Sequence, residues 1–324
     1  MNTTTCLQPD YTVTSNSEQL SAAHPVRIVT HLFNTKAGNA PDITNLPVPG
    51  NAYWARDRRI IEPHDHEHHE IAFILSGEAH HNTPMYESVV QSGDVILVSP
   101  GQVHGFTQFD GTVIVNCVYL TEWLYVNLNE LLSIEGLVPL FLATGPFART
   151  EDPWISQQRL TPEELDECMH ELRSLARECD LENPSHPYLR RCLEKLMIML
   201  GRVFARSENK ATHNLLPRKI QVIMRNIENL IVEGVRFKVS DQAETCHLSP
   251  DHFTRTFRNA VGMSPMEYYQ RRRAQRAAWM LLNTDSSMFE IAMALGYSDP
   301  PHLSRLFTRF LGQSPNAYRK RYLT

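Results

Sequence analysis

From residue 26 to about 120 the chain carries short apolar runs with interspersed polar positions, "VRIVTHLF", "AYWARDRRIIE", "EIAFILSG", "GDVILVSPG" and "GTVIVNCVYL", separated by Gly, Pro and Asn clusters. Short, closely spaced runs of this kind predict an antiparallel sandwich or small barrel. After about residue 121 the period becomes helical. In "TPEELDECMHELRSLAREC", Thr161 and Glu164 form a capping-box pattern with Pro162 at the first helical position, and Leu165, Met169, Leu172, Ala176 and Cys179 recur every three or four residues. In "YLRRCLEKLMIMLGRVFAR", Leu189, Leu193, Leu196, Leu200 and Val203 share one stripe, broadened by Met197 and Met199. These helices either cover the β domain or form a dimer seam. Residues 1–25 are polar and aperiodic, an expected arm, and "RSENKATHNLLP" at 206–217 is an expected linker.

The C-terminal segment repeats itself. "SPDHFTRTFRNAVGMSPMEYY" at 249–269 aligns with "DPPHLSRLFTRFLGQSPNAYR" at 299–319 at an offset of 50, matching Pro250 with Pro300, Arg255 with Arg305, Phe257 with Phe307, Gly262 with Gly312 and Tyr268 with Tyr318. So many identities at one offset mark a duplicated module. Each copy predicts a helix-turn-helix. Ala243 and Ala292 leave room for a crossing helix, Ser249 and Asp299 are N-cap types followed by Pro, and Gly262 and Gly312 end the second helices. With Phe253 and Phe257 facing inward, Asp251, Thr254, Arg255 and Arg258 turn outward; with Leu303 and Phe307 inward, Pro301, His302, Arg305 and Arg309 do so. An outward Arg on such a helix can grip the O6 and N7 atoms of guanine in a major groove.

Charge sharpens this picture. The chain has 31 Lys+Arg against 36 Asp+Glu, but from Leu215 onward 16 basic residues face nine acidic ones, a balance of +7, which leaves −12 for the rest. A basic final third on an acidic body suits a polyanion-binding module. At 42% hydrophobic and 21% charged, with no long apolar run and no signal-peptide pattern, the 324 residues suggest at least two globular domains with no membrane association and a cytoplasmic location. The six scattered cysteines form no metal or disulfide pattern and are expected to be reduced.

The stretch "IAMALGYSDPPHLSRLFTRFLGQSPNAYR" fits the pattern IAxxxGYSDxxxxSRxFxRxxGxSPxxYR, and the segment 218–324 resembles the DNA-binding domain of the AraC family of bacterial transcription regulators. The resemblance implies two helix-turn-helix units joined by a long helix over Ser264–Thr284, base-facing positions at Asp251, Thr254 and Arg255 and at Pro301, His302 and Arg305, and RNA polymerase and a second copy of the chain as partners. The pair Pro300-Pro301 departs from the polar residues usual there.

In the β-rich part, His64-x-His66-xxx-Glu70-x6-Gly77 reproduces the first cupin motif, and Gly93-x7-Gly101-xx-His104 resembles the second. The fold expected is therefore a cupin-like β-barrel over 26–120, a helical extension over 121–205 and an all-α C-terminal domain. The resemblance turns His64, His66, Glu70 and His104 inward, as a divalent metal site or as donors and acceptors to an effector, with Tyr53, Trp54, Arg56 and Arg58 as candidate pocket lining. His68 and His69 read as turn or surface residues, and alternation can aim only one of His80 and His81 inward.

Two functional readings follow. The first is a DNA-binding regulator whose cupin-like domain takes a small effector; the look of the rhamnose and arabinose regulator branch implies a sugar. The alternative is a metal-dependent cupin enzyme, a dioxygenase or isomerase, fused to a DNA-binding module.

Overall fold

The computed structural model describes residues 20–21, 25–34, 53–56, 60–66, 68–84, 86–120, 156–206 and 218–323. Most of the expected arm, the expected linker beyond Arg206 and the stretch 121–155 lie outside the described residues; Leu20, within the expected arm, is buried.

Eight strands form one sheet: β1 (Val26–Asn34), β2 (Tyr53–Arg56), β3 (Ile60–His64), β4 (His69–Asn82), β5 (Glu87–Gln91), β6 (Asp94–Val98), β7 (His104–Tyr119) and β8 (Ser156–Arg159). The long strands β4 and β7 pair antiparallel as a central ribbon. One half of the ribbon is flanked by β1 and β6, and the other by β3 and β5. Register shifts between Ile74 and His80 bend β4, and Gly77 (φ +71°) sits at the bend, where a Cβ would lie 2.3 Å from the Asp110 carbonyl oxygen. Only glycine lets the two strands approach so closely.

Among the described residues the sheet order runs β2-β1-β7-β4-β6-β8, and the bulges curl the central ribbon back on itself, in keeping with the expected cupin-like form. Strand β8 falls inside the span where the pattern predicts helix. It is held to β6 by Arg159, whose Nε and Nη2 donate to the two carboxylate oxygens of the buried Asp94 at 2.8 and 2.9 Å.

Alternation divides the sheet's side chains between two cores. Ala72, Ile74, Ile96, Val98, Phe106, Phe109 and Ile114 fill the concave interior. Ile71, Phe73, Val95, Leu97, Val115 and Cys117 fill the other face, with residues of α1 (Pro162–Cys179) and α2 (His186–Arg206). The capping box at Thr161 forms as the sequence predicts, and Leu172, Leu189, Leu193, Leu196 and Leu200 are fully buried.

The C-terminal domain is helical: α3 (Arg218–Val232), α4 (Val239–Thr245), α5 (Pro250–Val261), α6 (Pro265–Asn283), α7 (Met288–Ala294), α8 (Pro300–Leu311) and α9 (Pro315–Leu323). The pairs α4–α5 and α7–α8 are the two helix-turn-helix units, with Ala243 and Ala292 buried at the crossings. The connecting helix α6 starts one residue inside the expected Ser264, which is its N-cap. A buried network ties α6 to α3: Glu228 accepts from Arg272 Nε at 2.7 Å, Arg272 Nη2 at 3.1 Å and the Tyr268 hydroxyl at 3.0 Å. The next residue, Arg273, donates to the Leu295 carbonyl at 2.9 Å, and its guanidinium lies 3.4 Å from the Tyr297 ring centroid and 4.9 Å from that of Tyr269. Arg273 thus joins α6 to the second unit by a charge-assisted hydrogen bond and a cation–π contact with Tyr297.

Candidate functional site

The first candidate surface is the pair of helices α5 and α8. Each begins on an oxygen cap: Ser249 Oγ accepts from the His252 N–H at 3.3 Å, and Asp299 Oδ1 accepts from the His302 N–H at 2.7 Å. Each ends on a left-handed glycine, Gly262 (φ 88°) or Gly312 (φ 74°), as the repeat predicts. Phe253 and Phe257, and Leu303 and Phe307, are completely buried, and burying side chains of this size contributes roughly 1.5–3 kcal/mol each. That anchoring leaves Asp251, Arg255 and Arg258 exposed on α5, and Pro301, Arg305 and Arg309 exposed on α8. Thr254 and His302 are half-buried; the His302 ring meets Tyr297 edge-on at 5.4 Å. Arg255 and Arg305 are thus exposed at equivalent positions on the second helix of each unit.

The second candidate lies on the interior face of the sheet. β3 pairs with β7 so that His64 stands directly opposite His104, and their rings are 4.7 Å apart. The preceding segment carries His66, and β4 supplies Glu70. His66, Glu70 and His104 each present a donor atom within 4.8 Å of the others, and His66 Nε2 is 3.8 Å from Glu70 Oε2. His104 is 1% exposed. Thus the structure brings together three of the four motif residues, with His64 at the exposed rim.

Burial is the main cause of the low basicity of these imidazoles: His66 falls to about 4 and His104 to about 2, with neighbouring histidines adding to the depression at His104. Both rings are neutral near pH 7, so their lone pairs are available to a hydroxyl or a metal ion.

His69 corrects the expectation of a turn or surface residue. It opens β4 opposite Tyr119 and stacks on that ring at 5.1 Å, buried on the sheet face away from Glu70. Alternation puts neighbouring residues on opposite faces, so Glu70 inward requires His69 on the helix side. His68 is half-buried and stacks on His66 at 4.3 Å.

Of the next pair, His81 points inward, fully buried and 5.8 Å ring to ring from His104, while His80 pairs with Glu87 on the outer side. Sequence reading identified this choice but not which residue wins; the bulges near Gly77 reset the alternation. The backbones of Tyr53, Trp54 and Arg56 pair with β1, but their side chains, and Arg58 altogether, lie outside the described residues.

Comparison with known proteins matches both regions. A family model described as an AraC-like ligand binding domain covers residues 53–216, half of the chain, and one described as a helix-turn-helix domain covers residues 242–321. The chain is similar to the HTH-type transcriptional activator RhaR of Yersinia pseudotuberculosis, 25% identical over 263 residues, covering 80% of this chain and 85% of the relative. It is also similar to the RhaR of Mannheimia succiniciproducens, 24% identical over 271 residues, covering 82% and 91%. Among solved structures it resembles ToxT from Vibrio cholerae at 11% identity and a TM-score of 0.39, over 92% of this chain and 98% of that one.

Proposed function

Because the chain belongs to the AraC family, with an AraC-like ligand-binding domain followed by a helix-turn-helix domain that binds DNA, we propose that it is a sugar-responsive activator of transcription. The observation that carries the effector side of this reading is the buried set His66, Glu70 and His104 on the concave face of the sheet. Neutral imidazoles accept hydrogen bonds or donate them according to tautomer, and a carboxylate accepts two, which suits the vicinal hydroxyls of a pentose or deoxyhexose. Activation is supported by the names of the relatives, which are transcriptional activators, and contact with RNA polymerase is the partner that such a role would require.

The response is a transfer of binding energy. An effector that binds one arrangement of the sensor more tightly than another shifts how the DNA-binding domains of a homodimer are placed, with no chemistry on the effector itself. Helices α1 and α2 are one candidate for the dimer seam and the face of the sheet is another. A regulator of this type works in the cytoplasm, in keeping with the finding that no described helix is long and apolar enough to cross a membrane.

The test is a thermal-shift screen of the full chain against pentoses, deoxyhexoses and uronic acids, followed by DNA binding with and without any hit. A ligand that binds only the folded chain raises its melting temperature by mass action. Replacing Glu70 or His66 with alanine is expected to abolish the shift and the effector response and to leave basal DNA binding intact; a normal response in both variants would remove these residues from the pocket.

A further inference from the structure

We infer that α5 and α8 select different bases: Pro301 makes the second unit depend on the 5-methyl group of a thymine, where the first unit, through Asp251, takes a cytosine. This rests on the reading above that the chain binds DNA through its helix-turn-helix units, and it names what each unit reads. In such a unit the second helix enters the major groove with its N-terminal residues against the base edges. On α5 and α8 the second helical residue and the one four positions later are both exposed: Asp251 and Arg255 on one, Pro301 and Arg305 on the other. Residues four apart lie one above the other on a helix, so each pair forms one face.

The arginines match, and either fork can grip guanine O6 and N7. The first members of the pairs do not match. The Asp251 carboxylate only accepts hydrogen bonds, which suits the amino group of cytosine; guanine and thymine would turn acceptors toward it. The Pro301 ring offers neither donor nor acceptor, and the apolar group that marks a base edge in this groove is the thymine methyl.

The neighbours of Pro301 leave that role to it. Asp299 is committed to the cap: its Oδ1 accepts from the His302 N–H at 2.7 Å and its Oδ2 from the Ser298 hydroxyl at 3.2 Å. The half-buried His302 ring is turned to Tyr297, edge-on at 5.4 Å. Leu303 is completely buried and Ser304 half-buried. Before Arg305, then, α8 exposes no side chain that can hydrogen-bond to a base.

The duplication also provides the controls. Each cap takes the N–H of the third helical residue, His252 or His302, so the second position has no such bond to lose. Both helices already start on a proline, and each copy carries at its second position the residue proposed for exchange in the other. Asp251→Pro and Pro301→Asp are therefore expected to fold.

The experiment selects duplexes with the full chain from a library randomised over about two turns of DNA. The best-bound duplex is then remade with deoxyuridine at each thymine in turn, which removes the methyl and keeps every hydrogen-bonding atom. The expected result with the wild-type chain is one thymine whose replacement weakens binding by about fourfold, the effect of one buried methyl-sized group. Selection with Pro301→Asp should put cytosine at that place, and selection with Asp251→Pro should put thymine in place of a cytosine in the other segment. Each variant should bind the wild-type duplex roughly 5–150-fold more weakly than its own selected duplex.

Wild-type binding that is indifferent to deoxyuridine at every position overturns the proposal, and so does selection of the same sequences by Pro301→Asp and the wild type. Either result leaves sequence-specific DNA binding in place. A wild-type chain that enriches no sequence overturns that reading and the proposal together.

Discussion

Arg255 and Arg272 carry the same guanidinium in opposite circumstances. Arg255 is exposed on α5, whereas Arg272 is buried against Glu228 in α6. Replacing Arg272 with alanine leaves Glu228 buried without its cation and is expected to cost about 3–5 kcal/mol in a urea titration. Arg255→Ala, or Arg305→Ala, should change stability by no more than about 0.5 kcal/mol but weaken operator binding by roughly 1–3 kcal/mol if the side chain makes a bidentate base contact. Unchanged binding by both exposed-arginine variants would mean that another face of these helices meets DNA. The contrast also shows what single residues can reveal in sequence. Within the run Arg271-Arg272-Arg273, spacing along one helix cannot tell which member faces α3. His69 was misread for a related reason: its place follows from which side of the ribbon is concave, a property of the folded sheet.

Individual elements were easier to read where their signals are local. Caps, terminal glycines and the Pro at N1 fixed α5, α6 and α8 to within a residue of expectation. β8 was missed because "SQQR" has no alternation; a long-range ion pair to Asp94 holds it in the sheet. The duplicated caps are chemically unequal, and this has a measurable effect. The Asp299 carboxyl is held below its ordinary 3.8 chiefly by the His302 backbone N–H that it accepts. Its contribution to stability is therefore full above that value and fades as pH falls through the lower folded value, whereas Ser249 does not titrate. On acidification from about pH 5 to 3, backbone amides at the start of α8 should exchange faster relative to those of α5, and Asp299→Ser should erase the difference. The α3–α4 turn also abuts the second unit: a Cβ on Gly296 (φ +69°) would lie 2.1 Å from the Gly234 carbonyl oxygen. Gly296→Ala should destabilise the domain by more than about 1 kcal/mol, read from its urea midpoint.

For the whole molecule, net charge is a poor guide to behaviour. A chain at −5 would be expected to avoid DNA, yet the final third alone stands at +7. DNA affinity should therefore drop steeply with salt, by roughly 10³–10⁵ between 50 and 200 mM if six to ten phosphates are contacted. A flat salt response would show that the basic segment does not meet the backbone of DNA. The two-domain plan was legible because the hydrophobic period changes from strand to helix along the chain. The order of the strands was not, since it depends on pairings between segments distant in the chain.

The seating of Arg273 between Tyr269 and Tyr297 has a consequence for the genome that this protein reads. With Arg273 of α6 fixed to the second unit and Tyr268 of α6 packed against Phe257 of the first, α5 and α8 are held to one rod, and the 19 residues of α6 set a span of roughly 28 Å. Promoters under its control can drift by base substitution, each change graded in its effect. A single inserted or deleted base pair between the two contacted segments rotates one of them by about a tenth of a turn, which a rigid reader cannot follow. Natural operators for this protein should therefore vary in letters and hold constant in length.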